Sequence, residues 1–251
     1  FRNPLADPYL LGVAAGAGLG ATVAIVTAGA GAAAVPPAAF AGALVAVALT
    51  YALGVGAAGR SSGVTLILAG VAVAAFLTAI QTFVQQRNVD TVREVYSWIL
   101  GRLGSTGWTD VLVLAPYAAV SIVVLLLHRR LLDVLAVGED EAETLGVNAP
   151  RVRLTVVAAA TLGTAAAVSV SGLIGFVGIV VPHAIRLVAG VSYRVILPLS
   201  VLGGAAFLIV ADLVARTALS PAEIPIGIVT AFVGGPFFAV VLWNARKGLG
   251  A

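Results

Sequence analysis

The sequence predicts an all-α membrane protein, a polytopic helix bundle in which residues 1–251 form one domain. Three observations carry this prediction. Hydrophobic residues make up 61% of the chain and charged residues 10%, with a mean hydropathy of +1.10, which leaves too little polar surface for a soluble protein. Apolar runs near the length that crosses a bilayer in a helix, about 20 residues, recur from end to end. The two longest polar interruptions, Gln85 to Asp110 and Leu131 to Arg153, fall between such runs.

Phe1 to Pro8, FRNPLADP, reads as a proline-broken turn outside the hydrocarbon, because the residue before each proline is pushed away from helical geometry. A first span follows from Tyr9 to Ala28. Its Gly12, Gly16 and Gly20 fall four apart on one face, which predicts close helix packing in lipid rather than a ligand site. The loop Gly29 to Pro37 leads to a second span, Ala38 to Ala58, and the tight turn GRSSG, Gly59 to Gly63, leads to a third, Val64 to Val84. Gln85 to Asp110 interleaves Arg87, Asp90, Arg93, Glu94 and Arg102 with Val95, Tyr96, Trp98 and Ile99, the pattern of a helix lying at the membrane interface. The fourth span is Val111 to Leu127, closed by His128, Arg129 and Arg130.

Leu131 to Arg153 holds Glu139, Asp140, Glu141 and Glu143, four of the eleven acidic residues. Two short helices are expected here. The first carries Leu131, Leu132 and Leu135 and stops at Gly138; the second opens on the acids, which suit the positive end of a helix dipole, and stops at Gly146 before Pro150. The result is a polar elbow, residues 131–150, which local sequence reads either as a solvated loop or as a docking element. A fifth span runs from Leu154 to Ser171. Gly172, Gly175 and Gly178 then weaken helix, and Val181 to Gly190 is too short to span alone, so it reads as a short returning helix inside the bundle, where irregular backbone at membrane depth can be surrounded by protein. Val195 to Arg216 and Ile224 to Asn244 complete eight crossings.

If the elbow faces the cytoplasm, ten basic residues fall inside (Arg2, Arg60, Arg129, Arg130, Arg151, Arg153, Arg186, Arg194, Arg246, Lys247) and four outside (Arg87, Arg93, Arg102, Arg216). The excess of positive charge on the inner side supports that orientation and puts both ends of the chain inside. Acids count little in this rule.

Chemistry within the bundle is sparse. There is no His-Glu-x-x-His pair, no serine elbow with a histidine partner and no pair of acid-base carboxylates, which argues against an enzyme. Two histidines and no cysteine argue against zinc and exclude disulfides. His183 reads either as a helix-start residue bonding backbone freed by Pro182 or as a group facing substrate. Asp212 and Arg216, four apart, read as a local pair contributing about 0.3–0.5 kcal/mol when exposed, or as charges free for a partner. A channel or an intramembrane enzyme acting alone is one reading these residues leave open.

Four segments, NPLADPYLLGVAAGAG, GEDEAETLGVN, GLIGFVGIVVPHAIRL and DLVARTALSPAEIPIGIVTAFVGGPFF, resemble the permease subunits of ATP-binding-cassette importers. The resemblance is strongest to the FecCD-type family that takes up iron siderophores, haem and vitamin B12. Its members have ten spans, and this chain matches the last eight, so the first two spans are expected to be missing, in keeping with a sequence that opens on Phe1 and contains no methionine.

The resemblance implies a bacterial cell-membrane importer in which two permease copies, a homodimer or close paralogues, flank the pathway. Two ATPase subunits using ATP-Mg bind below, a soluble binding protein delivers substrate from outside, and the permease itself holds no cofactor. It also implies roles for residues. Gly138, Glu139, Asp140, Glu141, Glu143, Leu145 and Gly146 would form the element that docks in the ATPase. Ser61, Ser62, Gly63 and Val64 would form an inner gate on the dimer axis; Thr78, Gln81, Thr82 and Gln85 would line the pathway; and Arg216 would meet the binding protein.

Overall fold

The computed structural model describes residues 7–29, 31, 33–54, 63–104 and 106–248. Within them the chain forms α1 (Val13–Ala28), α2 (Val35–Gly54), α3 (Gly63–Arg87), α4 (Val92–Ile99), α5 (Trp108–Val137), α6 (Glu139–Thr144), α7 (Ala149–Ser171), α8 (Val177–Ala189), α9 (Tyr193–Thr217) and α10 (Ile226–Gly248). Among the described residues no strand occurs. Five helices, α2, α3, α5, α7 and α9, are long and apolar enough to cross a membrane, and α1, α8 and the Ile226–Val241 part of α10 are shorter apolar helices.

The core is built on α1. Val13, Ala17, Ala21, Ala24 and Ile25 pack against Val35, Ala39, Ala43 and Val47 of α2, Val95 of α4 and Ala165 and Val168 of α7. Small residues permit the closest contact: a methyl group on Gly16 would collide with the Gly42 carbonyl oxygen, and one on Gly20 with the Ala38 carbonyl oxygen. The glycine spacing on α1 is therefore a packing device at two of its three positions. Gly12 serves otherwise, capping the start of α1 with φ 85°, in the left-handed region. Hydroxyls buried with α1 bond to the backbone: Thr22 donates to Gly18 O at 2.7 Å and Thr50 to Leu11 O at 2.9 Å.

Several elements differ from expectation for local reasons. α2 starts at Val35, because Pro36 and Pro37 fit a first helical turn, where no backbone N–H donor is required. Leu131 to Val137 is not a separate helix. It continues α5, whose 30 residues reach about 45 Å, longer than the hydrocarbon by about 15 Å, so the helix is long enough to carry the elbow clear of the bilayer. α4 also departs from a helix lying wholly at the interface. Its Val95 is buried in the core and Trp98 packs there too, while Tyr96 stays exposed.

The segment 172–176 returns toward mid-depth as irregular backbone before α8 begins, with Gly172 at φ 72° and Phe176 at φ 68°, both in the positive-φ region. A Cβ on Gly204, near the middle of α9, would lie 3.9 Å from Val177, and Gly234 of α10 faces the Phe176 ring with no room for a methyl group. α8 starts beside the middle of α9 and beside Gly234 of α10, and its 13 residues, about 20 Å, cover the remaining depth. The short returning helix of the sequence reading is present, but it begins at Val177 and carries Pro182 inside. Tyr9 stabilises the irregular stretch by donating its hydroxyl to Ile174 O at 3.1 Å and accepting from Ile174 N–H at 3.2 Å, which satisfies both backbone groups of one non-helical residue. Asp7 and the 3-10 turn Pro8–Leu11 are thus packed against this segment through Tyr9, and the rest of the proline-broken entry, residues 1–6, lies outside the described residues.

Candidate coupling and pathway sites

The elbow is narrower and more ordered than its residue types indicate. α5 ends at Val137, Gly138 turns the chain in extended geometry, and α6 follows as six residues, EDEAET. Ala142 is its anchor, fully buried, with its N–H donating to Gly138 O at 3.1 Å. The far end closes by a paired cap: Gly146 N–H donates to Glu143 O at 2.9 Å and Val147 N–H to Ala142 O at 2.9 Å, with Gly146 at φ 77°. This Schellman arrangement needs a left-handed residue, which glycine supplies without a Cβ penalty. Asn148 then caps α7 by accepting from Arg151 N–H at 3.0 Å, and Pro150 occupies the first turn. Glu141 and Glu143 are exposed, and Leu145 is 70% exposed beside them. An acidic rim with one uncovered leucine, on a helix anchored by Ala142 and capped at its C-terminal end, suits contact with another protein.

A second polar cluster, absent from the sequence reading, lies at the foot of α5. Asp133 Oδ2 accepts from the Ser192 hydroxyl at 2.9 Å, and its Oδ1 accepts from Tyr193 N–H at 2.6 Å. Arg194 Nε lies 3.7 Å from the same carboxylate. Arg186, in the last turn of α8, donates to the Tyr193 hydroxyl at 3.3 Å and stacks 5.6 Å from its ring centroid. Ser192 before an apolar run is a readable helix-start signal, but its partner lies 59 residues away.

On α3, Thr78 and Thr82 are exposed, Gln85 is half-buried, and Thr82 donates to Thr78 O at 2.9 Å. Gln81 turns inward. It is 8% exposed, and a Cβ on Gly18 of α1 would lie 3.0 Å from its side-chain oxygen, so α1 covers it. Gln85, expected at the start of a loop, belongs to α3. Of the gate residues, Ser61 and Ser62 lie outside the described residues, Gly63 opens α3, and Val64 is 67% exposed on its first turn. A groove of about 820 Å³ lies instead between α2, α5 and α7, lined by apolar side chains such as Leu44, Tyr51, Val124 and Leu154. None of the four pathway candidates lines it.

Arg216 pairs locally. Its Nε lies 2.8 Å from Asp212 Oδ2, one helical turn earlier, yet 45% of its side chain stays exposed. His183 is not a helix-start residue, since α8 begins six positions before it; its ring meets Phe237 of α10 edge-on at 5.8 Å.

The FecCD transport family matches residues 1–244. The chain belongs to the FecCD transport family. A cobalamin import system permease protein, BtuC of Halobacterium salinarum, is 46% identical over 243 residues, covering 96% of this chain and 65% of the relative. The haemin transport system permease protein HmuU of Yersinia pestis is 36% identical over 257 residues, 98% of this chain and 75% of its own. The Fe(3+)-citrate import system permease protein YfmD of Bacillus subtilis is 37% identical over 247 residues, 98% of this chain and 72% of its own. A solved structure of a metal-chelate type ABC transporter in an inward-facing conformation superposes with TM-score 0.88 at 30% identity, covering 97% of this chain and 77% of that one. The chain thus spans from about two thirds to three quarters of these proteins. The relatives are named as permease proteins of import systems, and this FecCD member, with five helices long and apolar enough to cross a membrane, is a multi-pass membrane protein.

Proposed function

We propose that the chain is the membrane-spanning subunit of an ATP-driven importer, and that it carries an iron chelate, haem or cobalamin inward. The observation that supports this best is α6, a capped acidic helix held at the projecting end of α5. A rigid element standing clear of the bilayer can receive a displacement from a soluble motor and pass it to the spans on either side. Gly138 to Gly146 is then the docking element for an ATPase subunit on the cytoplasmic side of the cell membrane. Two such subunits, using ATP-Mg, serve a pair of permease copies whose interface holds the gate at Ser61 to Val64 and the exposed threonines of α3. The external binding protein meets the rim that carries Arg216. Both ends of the chain lie inside, as the distribution of arginines favours.

Cobalamin is the first cargo to test, because the relative named for it is 46% identical and the one named for haemin 36%. The experiment is ATP hydrolysis by the assembled complex in liposomes, with loaded binding protein supplied outside. Cobalamin, haemin and ferric siderophores are compared, and stimulation by one of them identifies the cargo. No stimulation by any, with all subunits bound, counts against the importer reading.

A further inference from the structure

The elbow is held by α5 and α7, but the polar cluster at the foot of α5 ties it to a third element. Asp133 lies six residues before α6, in the end of α5 that carries the elbow, and its carboxylate takes three contacts from Ser192 and the first residues of α9. Tyr193 N–H is one of the α9 donors that has no partner within its own helix, and an acid at that end also meets the positive end of the helix dipole. Ser192 serves both sides. Its hydroxyl oxygen accepts from Arg194 N–H at 3.3 Å while its proton goes to Asp133. Arg186 adds α8 to the cluster through the Tyr193 ring and hydroxyl. A carboxylate gripped by two hydrogen bonds and flanked by an arginine resists both sliding and rotation, because any displacement lengthens charge-assisted bonds. A different α5 contact, Ser121 donating to Ala159 O at 2.8 Å, joins α5 to α7, the two helices already linked through the elbow.

We propose that Asp133 is a positioning residue that carries displacement of the α6 elbow to α8 and α9, so that the helix pair moves with the elbow rather than behind it. This rests on the importer reading, and it adds a route by which the motor stroke reaches the part of the bundle that contains the 172–176 segment and the short α8.

The sequence contains no cysteine, so two labelled pairs report the two elements separately. Val137→Cys, the exposed last residue of α5 beside the elbow, with Thr27→Cys measures the α6 elbow against α1, and Leu199→Cys with Thr27→Cys measures α9 against α1. Pulsed-EPR distances are taken in the assembled complex with and without ATP-Mg. With Asp133 present, both distances change together. In Asp133→Ala the α6 distance still changes, the α9 change is lost, and ATP consumed per cobalamin carried rises about tenfold, as expected for losing a hydrogen-bonded carboxylate. Asp133→Asn, which keeps the shape and one acceptor, shows the same uncoupling in weaker form. Full α9 movement in both variants overturns the proposal, as does failure of both to assemble, since the carboxylate is then a folding group only. An α6 distance that ignores nucleotide in the wild-type complex overturns the importer reading and this proposal with it.

Discussion

Gly16 and Gly20 show how one missing methyl group sets a helix distance. The α2 backbone occupies the space that a Cβ would need at either position. Gly16→Ala should destabilise the protein by about 1–3 kcal/mol, the usual cost of overpacking, because backbone cannot yield as a side chain can. Gly235→Ala, with nothing within 4 Å of the added Cβ, should not lower stability. Thermal unfolding in detergent compares the two, and equal midpoints would remove the packing role of Gly16. Arg216 poses a different question at the same scale. Its pair with Asp212 is local and half-exposed, worth about 0.5 kcal/mol or less, so losing it should barely change stability. A rim charge acts mainly on encounter. Arg216→Glu should slow capture of the loaded binding protein by about tenfold at low salt, with the difference shrinking as salt rises, and a compensating glutamate-to-arginine change on the partner should restore part of it. Association rates equal to wild type at low salt would leave Arg216 a local pair.

At the scale of elements, the elbow combines a free surface with fixed ends. Ala142 is buried and Gly146 closes the cap, whereas Glu141 and Glu143 contact solvent. Charge on the exposed side can therefore be changed without disturbing what holds α6. Reversing Glu141 and Glu143 to lysine together should leave the permease folded and reduce ATPase-subunit co-purification severalfold. Undiminished co-purification and transport would exclude docking through these acids. The break at Gly138 was legible because glycine follows a run of apolar residues. The merging of Leu131 to Val137 into α5 was not, because His128, Arg129 and Arg130 look like a membrane border and a helix can pass through a border without interruption. α8 shows the opposite case. Its shortness is readable from the flanking glycines, but it starts earlier than the sequence suggests, since Pro182 looks like a first-turn residue and α8 instead carries it internally.

At the scale of the whole molecule, the bundle has faces that no described element covers. Val64, Leu68, Val71, Phe76 and Phe83 leave one side of α3 exposed from its first turn onward. In lipid such a face is unremarkable, and in the proposed dimer it is where two copies meet, with the gate turn at its foot. Ser62→Cys, the only cysteine in the chain, should then cross-link two copies in the gate-closed state and not in the open one. Absence of a cross-link in every nucleotide state would take Ser62 off the dimer axis.

Composition alone determined that the chain lies in a membrane, and the alternation of apolar runs with polar breaks determined the eight apolar helices and the place of the elbow. These are properties of a chain against its solvent, and they can be summed along the sequence without knowing any contact. Gln81 facing α1 instead of its threonine neighbours, Tyr9 bound to Ile174 at a separation of 165 residues, and Asp133 capping α9 were decided only in the tertiary structure. In each a polar group needed a hydrogen-bond partner or a protein neighbour away from water. Where the nearest one stands depends on how helices far apart in sequence come to lie side by side.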